Sequence, residues 1–237
     1  MKDPFSIWVY LSATPLLWLA LTLVVWVAAD ALALACRRHP LVNPVLISIA
    51  IVGSILVTTG TPYRTYFEGA QFVHFLLGPA TVAIAVPLVR HRALVRANLA
   101  PMAAALVIGA LTAIVSAVGI AAALGVPRQA LVSLAPKSVT AGIAMAISEN
   151  LGGVPALTAV LVIATGVIGA VIVTPLFDAL KIRDYAARGF AVGLASHGIG
   201  TARAFVVDEV AGTFAGIAMG LNGVATSLIV PLLLSRF

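Results

Sequence analysis

Charge is what this sequence has least of. Only 9% of its 237 residues are Asp, Glu, Lys or Arg, and 62% are hydrophobic, whereas a soluble domain carries about 25% charged residues. A soluble fold of this size has no means of hiding so much apolar surface, which excludes a cytosolic globular domain. Cysteine is nearly absent: Cys36 stands alone, ruling out an intrachain disulfide and a thiolate metal site. Enzyme signatures are missing too, with no H-E-x-x-H, G-x-S-x-G or G-x-x-x-x-G-K-[ST] anywhere. The expectation is a protein that is not an enzyme and holds no metal and no cofactor.

What the sequence has in abundance is long uncharged runs. Leu41 to Tyr63, Ala97 to Pro127, Asn150 to Phe177 and Val210 to Ser235 each reach the roughly 20 residues that span a hydrocarbon core. Several such runs mean several helices, because backbone in lipid must satisfy its own hydrogen bonds. The fold class is an all-α polytopic membrane protein with about 7–8 transmembrane segments, read as one integral membrane domain over 1–237. Spans are placed at 9–35, 43–60, 69–89, 97–124, 154–180, 188–207 and 211–235, with a shorter interrupted segment at 131–149. The apolar run from Phe5 to Ala29 is too long for a signal peptide and is read as a retained first span.

The net charge of +6 comes from short basic clusters between the spans. They act as loop anchors under the positive-inside rule and call for no nucleic acid. The rule puts Arg37 and Arg38, then Arg90, Arg92 and Arg96, then Lys181, Arg183 and Arg188 in the cytoplasm. Two full crossings between the outer loop at Pro127 and Arg128 and the loop at Lys181 would break that pattern. The segment 131–149 is therefore either a re-entrant or broken helix, or a plain eighth helix with a weak charge bias. A shift of sixty positions lays Pro136 over Ser196, Glu149 over Glu209 and Leu161 over Leu221. Repeat units at about 69–127, 128–187 and 188–237 follow, with chance similarity of Ala-, Gly- and Leu-rich sequence as the competing explanation.

Three polar constellations interrupt the apolar background. In Ala135-Pro136-Lys137-Ser138-Val139-Thr140, proline ends one helix and leaves another to start at Lys137 with unpaired N–H groups. Hydroxyls from Ser138 and Thr140 and the Lys137 ammonium then make an anion site; the alternative is a lysine snorkelling to an interface. In the second, Ser196-His197-Gly198-Ile199-Gly200-Thr201-Ala202-Arg203, Gly198 and Gly200 permit unwound backbone and Ser196 and Thr201 cap or donate. There Arg203 can grip a carboxylate with two parallel bonds, and His197 either carries a coupled proton or is a satisfied packing residue. The third, Phe75 to Thr81, kinks a span at Gly78-Pro79, with Thr81 beside the break. Intramembrane cations need a partner or a ligand, since each costs about 2.5–3.5 kcal/mol at the membrane centre.

These motifs, F-L-L-G-P-A-T-V-A at 75–83, L-A-P-K-S-V-T at 134–140, I-A-M-A-I-S at 143–148, L-G-G-V-P-A-L-T at 151–158 and S-H-G-I-G-T-A-R-A at 196–204, resemble the LrgB/CidB family. The resemblance covers about Asn43 to Pro231. It extends to the C-terminal half of the plastidal glycolate/glycerate translocator. One departure stands out: Ala141-Gly142 follow the first motif where a Thr-Pro pair is expected. The resemblance implies a bacterial inner-membrane protein that works beside a separately encoded LrgA/CidA-like small membrane protein, and a homo-oligomer is expected. Its function would be carriage of a small monocarboxylate such as glycolate, glycerate, pyruvate or lactate, with possible coupling to protons. The alternative is a holin/antiholin-like regulator of murein hydrolase export and lysis. A substrate cage of Lys137, Ser138, Thr140, Ser196, His197, Thr201 and Arg203, lined by breaks at Gly78, Pro79, Thr81, Pro136, Gly198 and Gly200, is the expected site.

Overall fold

The computed structural model describes residues 14–39, 41–76, 79, 82–83 and 85–234, and among them every regular element is a helix. In chain order these are α1 (Pro15–Ala35), α2 (Pro44–Thr59), α3 (Tyr63–Phe75), α4 (Ala85–Arg90), α5 (Arg92–Ala97), α6 (Leu99–Ala123), α7 (Arg128–Leu134), α8 (Ala141–Asn150), α9 (Pro155–Ala179), α10 (Tyr185–Val207) and α11 (Glu209–Leu234). Local chemistry sets the starts. Proline, whose missing N–H is no loss in a first turn, opens α1, α2 and α9. Side-chain oxygens of Asn43, Asp184 and Asp208 accept the first free N–H groups of α2, α10 and α11.

The chain forms two compact units, Met1–Ala83 and Ile84–Phe237. In the first, α1 packs on both α2 and α3. Trp18 is fully buried and meets Tyr66 edge-on at 6.0 Å, and Gly69 lets α3 close on the backbone of α1, where a Cβ would come within 2.9 Å of the Leu19 nitrogen. Arg38, beyond the end of α1, turns back to pair with Asp30. Of the expected span at 69–89, the described elements are the end of α3 in the first unit and α4 from Ala85 in the second. Gly78 and Thr81 lie outside the described residues, and Pro79 belongs to the first unit.

The second unit is organised by three long helices. At 1.5 Å per residue, α6, α9 and α11 run about 37–39 Å, enough for a hydrocarbon core of about 30 Å. Asn98 before α6 and Asp184 before α10 line one cleft, and Glu209 at the start of α11 reaches Arg90 at 3.4 Å and His91 at 3.8 Å. These starts, with the basic loops that carry them, define one end of the bundle. At the other end Ile114 of α6, Val132 of α7, Ile147 of α8 and Val230 and Leu234 of α11 share a buried cluster.

Between the long helices lie two hairpins. Helices α7 and α8 turn at 135–140 and run antiparallel, since the hydroxyls of Ser133 and Ser148 meet at the same turn around Gly153. The segment enters and leaves at the end defined by the Ile114 cluster, so within the second unit it is a short hairpin and not one long helix.

Among the described residues five helices, α1, α6, α9, α10 and α11, are long and apolar enough to cross a membrane by length and composition, yet α10 folds back on itself. Ser196 (φ −126°, ψ 15°) and His197 (φ 42°, ψ −137°) leave helical geometry. Beyond them Val192 and Ala204 share one cluster, and Arg188 and Gly189 face the same small cleft as Arg203 and Val207. In a straight helix residues 189 and 207 would stand about 27 Å apart. The span expected at 188–207 is therefore a second hairpin, whose arms of about eleven residues each reach only halfway. Asp208 caps α11, and Glu209, half exposed, pairs with Arg90.

The first arm of this hairpin packs parallel to α11 through Gly189 against the Ala211 backbone and Gly193 against that of Ala215. A Cβ on either glycine would overlap the facing carbonyl oxygen, whereas Gly220, on the same long helix, has nothing within 4 Å. Gly193→Val should thus lower the thermal midpoint in detergent, or abolish folding, with a loss of about 1–3 kcal/mol or more. Gly220→Ala should be neutral or stabilising by up to about 1 kcal/mol; equal behaviour of the two would refute the close packing.

Candidate functional site

The tips of the two hairpins point at each other from opposite ends of the bundle. Pro136 ends the first arm of the first hairpin, but the next helix starts at Ala141 and not at Lys137. Lys137 sits within the turn, its N–H donating to the Leu134 carbonyl at 3.1 Å, so the expected free N–H there is taken. Its ammonium donates to the Ser138 hydroxyl at 3.3 Å. Among the described residues it forms no ion pair. Ser138 is buried and Thr140 half-buried, in the extended conformation that precedes α8.

At the other tip the reversal lies at Ser196 and His197, ahead of the glycines expected to unwind. Gly198 and Gly200 fall in the second arm. Gly200 supplies clearance: a Cβ there would come within 2.6 Å of the Ser196 Cβ and 3.0 Å of the Val192 carbonyl oxygen. His197 holds a positive φ that residues with a Cβ rarely adopt. Its ring Nε2 donates to the Val162 carbonyl of α9 at 2.9 Å, which places a proton on that nitrogen. The ring fits because position 166 is glycine; a Cβ there would come within 2.6 Å of the imidazole. Thr201 donates to the His197 carbonyl at 2.8 Å. His197 is 4% exposed, and the Lys137 ammonium lies within its electrostatic reach.

The tips are joined by a residue that sequence reasoning missed. Asn222, midway along α11, donates to the Leu194 carbonyl at 2.9 Å and the Ser138 carbonyl at 3.2 Å, and its own carbonyl accepts from Thr226 at 3.3 Å. A second missed group secures the base of the first hairpin: Thr158 donates to Ser148 at 2.8 Å, and Ser133 accepts from the Val154 N–H at 2.8 Å. All three hydroxyl residues are fully buried. The available signal was polarity alone, one amide or hydroxyl inside an apolar helix.

Arg203 does not join this group. It lines a small cleft with Thr174, Phe177, Tyr185 and Arg188, about 9 Å along its helix from His197. The site thus brings together Lys137, Ser138, His197 and Thr201, with Ser196 seated against Gly169. No cluster of three or more His, Cys, Asp or Glu able to hold a metal occurs among the described residues.

Comparison with known proteins identifies the family. Residues 22–235 match the model of the LrgB-like family. The chain is 35% identical to the uncharacterized protein YwbG of Bacillus subtilis over 92% of its own length and 96% of that protein's. It is 34% identical to YxaC of the same organism, covering 85% and 88%. To the holin-like protein CidB of Staphylococcus epidermidis it is 30% identical, covering 84% and 87%. No solved structure matches. With these bacterial relatives and its long apolar helices, it is a multi-pass bacterial inner-membrane protein, and it belongs to the LrgB-like family.

Proposed function

We propose that this protein is a secondary carrier or facilitator of small monocarboxylates such as glycolate, glycerate, pyruvate or lactate, and not an enzyme. The observation that carries this reading is Lys137: a half-buried cation at the meeting point of two helix interruptions, with no carboxylate beside it among the described residues. Such a charge calls for a negatively charged visitor. Discontinuous helices that converge at mid-membrane are a recurring way for secondary transporters to build a site. The sixty-residue shift sets Lys137 over His197. We therefore read 128–187 and 188–237 as inverted repeats, each a re-entrant hairpin followed by a crossing helix, within a topology of seven or eight membrane segments.

In this scheme Lys137 binds the carboxylate, Ser138 and Thr140 donate to its oxygens, and Thr201, whose O–H is taken by the His197 carbonyl, accepts from an adjacent substrate hydroxyl. His197, its Nε2–H held by Val162, meets the anion through Nδ1 only as the protonated ring that carries a coupled proton. Arg203 attracts the anion nearer the bundle end and does not grip it at the tips. A homo-oligomer and a separately encoded LrgA/CidA-like partner complete the proposal.

A second reading rests on the relatives' names. CidB of Staphylococcus epidermidis is called holin-like, which favours a regulator of cell-wall hydrolase export acting with such a partner. Leakage of that kind would pass solutes regardless of charge and would not saturate.

In proteoliposomes, uptake of labelled monocarboxylate should saturate, and Lys137→Ala should reduce it roughly ten- to hundredfold, the scale of losing a charge-assisted contact. Arg203→Ala should have a smaller effect. Unchanged uptake in Lys137→Ala, or partner-dependent leakage of neutral and charged dyes alike, would turn the conclusion to the holin-like reading. A second pair of variants separates backbone from side chain at the reversal. His197→Gly relieves the positive φ and should melt at a higher temperature than His197→Ala by about 1 kcal/mol of stability. Both should lose uptake, and full uptake by His197→Gly would remove the imidazole from the cage.

A further inference from the structure

We infer that Asn222 is a positioning residue, whose side-chain amide clasps the two hairpin tips together and thereby sets the spacing between Lys137 and His197. The effect on transport rests on the carrier reading above; the clasp itself does not.

Both carbonyls that Asn222 serves lie where the fold interrupts the helical ladder of backbone bonds. In an unbroken helix the Leu194 carbonyl would accept from residue 198, but the reversal at Ser196 and His197 carries the chain away. In the first tip the turn's own bonds use the carbonyls of Leu134, Pro136 and Thr140 and leave that of Ser138. A buried carbonyl with no donor costs about 1–3 kcal/mol, and two of them face each other here across one amide nitrogen.

Asn222 is 1% exposed, and its hydrogen-bonding capacity matches the task. It carries two N–H groups, and they go to two carbonyls on two separate hairpins. Thr226, one turn further along α11, donates to its oxygen at 3.3 Å. This contact fixes which end of the amide faces the tips. With both donors engaged, Asn222 has no N–H left for a substrate, which is why its role is to hold the binding groups and not to bind. No other described side chain bonds to both hairpins. The sixty-residue shift lays Asn222 over Val162, whose carbonyl receives His197. Each long helix therefore anchors the tip of the hairpin that the other one follows, but only α11 does so with a side chain that also ties in its own hairpin.

Hydrogen–deuterium exchange on the purified protein, paired with uptake kinetics, tests the inference. Asn222→Leu removes both donors at similar volume, and Thr226→Val keeps the amide but frees its orientation. Asn222→Leu should raise exchange at least tenfold in peptides covering 134–142 and 192–200 together, while the middle of α9 stays protected. The KM for monocarboxylate should rise tenfold or more with little change in maximal rate. Thr226→Val should show the same paired pattern at smaller amplitude, and it decides the matter if Asn222→Leu fails to fold. Faster exchange in one tip alone, or in neither, would overturn the clasp. Paired loosening with an unchanged KM would overturn the positioning role. If the wild-type protein takes up no monocarboxylate, the carrier reading falls and the exchange pattern alone judges the clasp.

Discussion

The structure of the second unit depends on one constraint: a backbone carbonyl or N–H in an apolar medium must find a partner within the protein. A straight helix meets it automatically. The two reversals at 135–140 and at Ser196–His197 do not, and each exposes polar backbone at the middle of the bundle. The solution is to bring the two deficits together. Asn222 spans them, Val162 receives His197, and Val139, Ala144 and Val162 pack around the first tip. Glycines make the approach possible, because Gly166, Gly169 and Gly200 stand where any side chain would strike the second tip. The polar cluster therefore serves the fold before it serves any ligand, and a site emerges where backbone repair concentrates donors and acceptors.

The first hairpin was legible in the sequence because two independent signals agreed on it. Pro136 stops a helix, and the placement of Arg90, Arg92 and Arg96 against Lys181, Arg183 and Arg188 is what the positive-inside rule expects when a segment between them does not cross. The second hairpin was illegible by the same methods. Tyr185–Val207 has the length and hydropathy of a full span, no proline marks the reversal, and the glycines suggested a break after His197 instead of at it. Its arms hide their small residues, Gly189 and Gly193, against α11, which composition alone cannot tell from ordinary helix packing. The sixty-residue shift lays Lys137, in the first tip, over His197, in the second.

The candidate site shows the same division. Lys137, Ser138, His197 and Thr201 could be picked out because polar residues beside helix breakers are conspicuous in apolar sequence. Arg203 looked equivalent but stands on the far part of an arm that runs back toward the bundle end. Asn222 and the Ser133, Ser148 and Thr158 group were overlooked because no breaker adjoins most of them and each helix reads as uniformly apolar. Their burial is a property of how separate segments meet, which periodicity along one segment does not record.

One hairpin descends from each end of the second unit's bundle. Under the carrier reading proposed above, the Lys137 and His197 tips would therefore be approached from either end past a short, doubled-back segment, not past a helix that runs the full length.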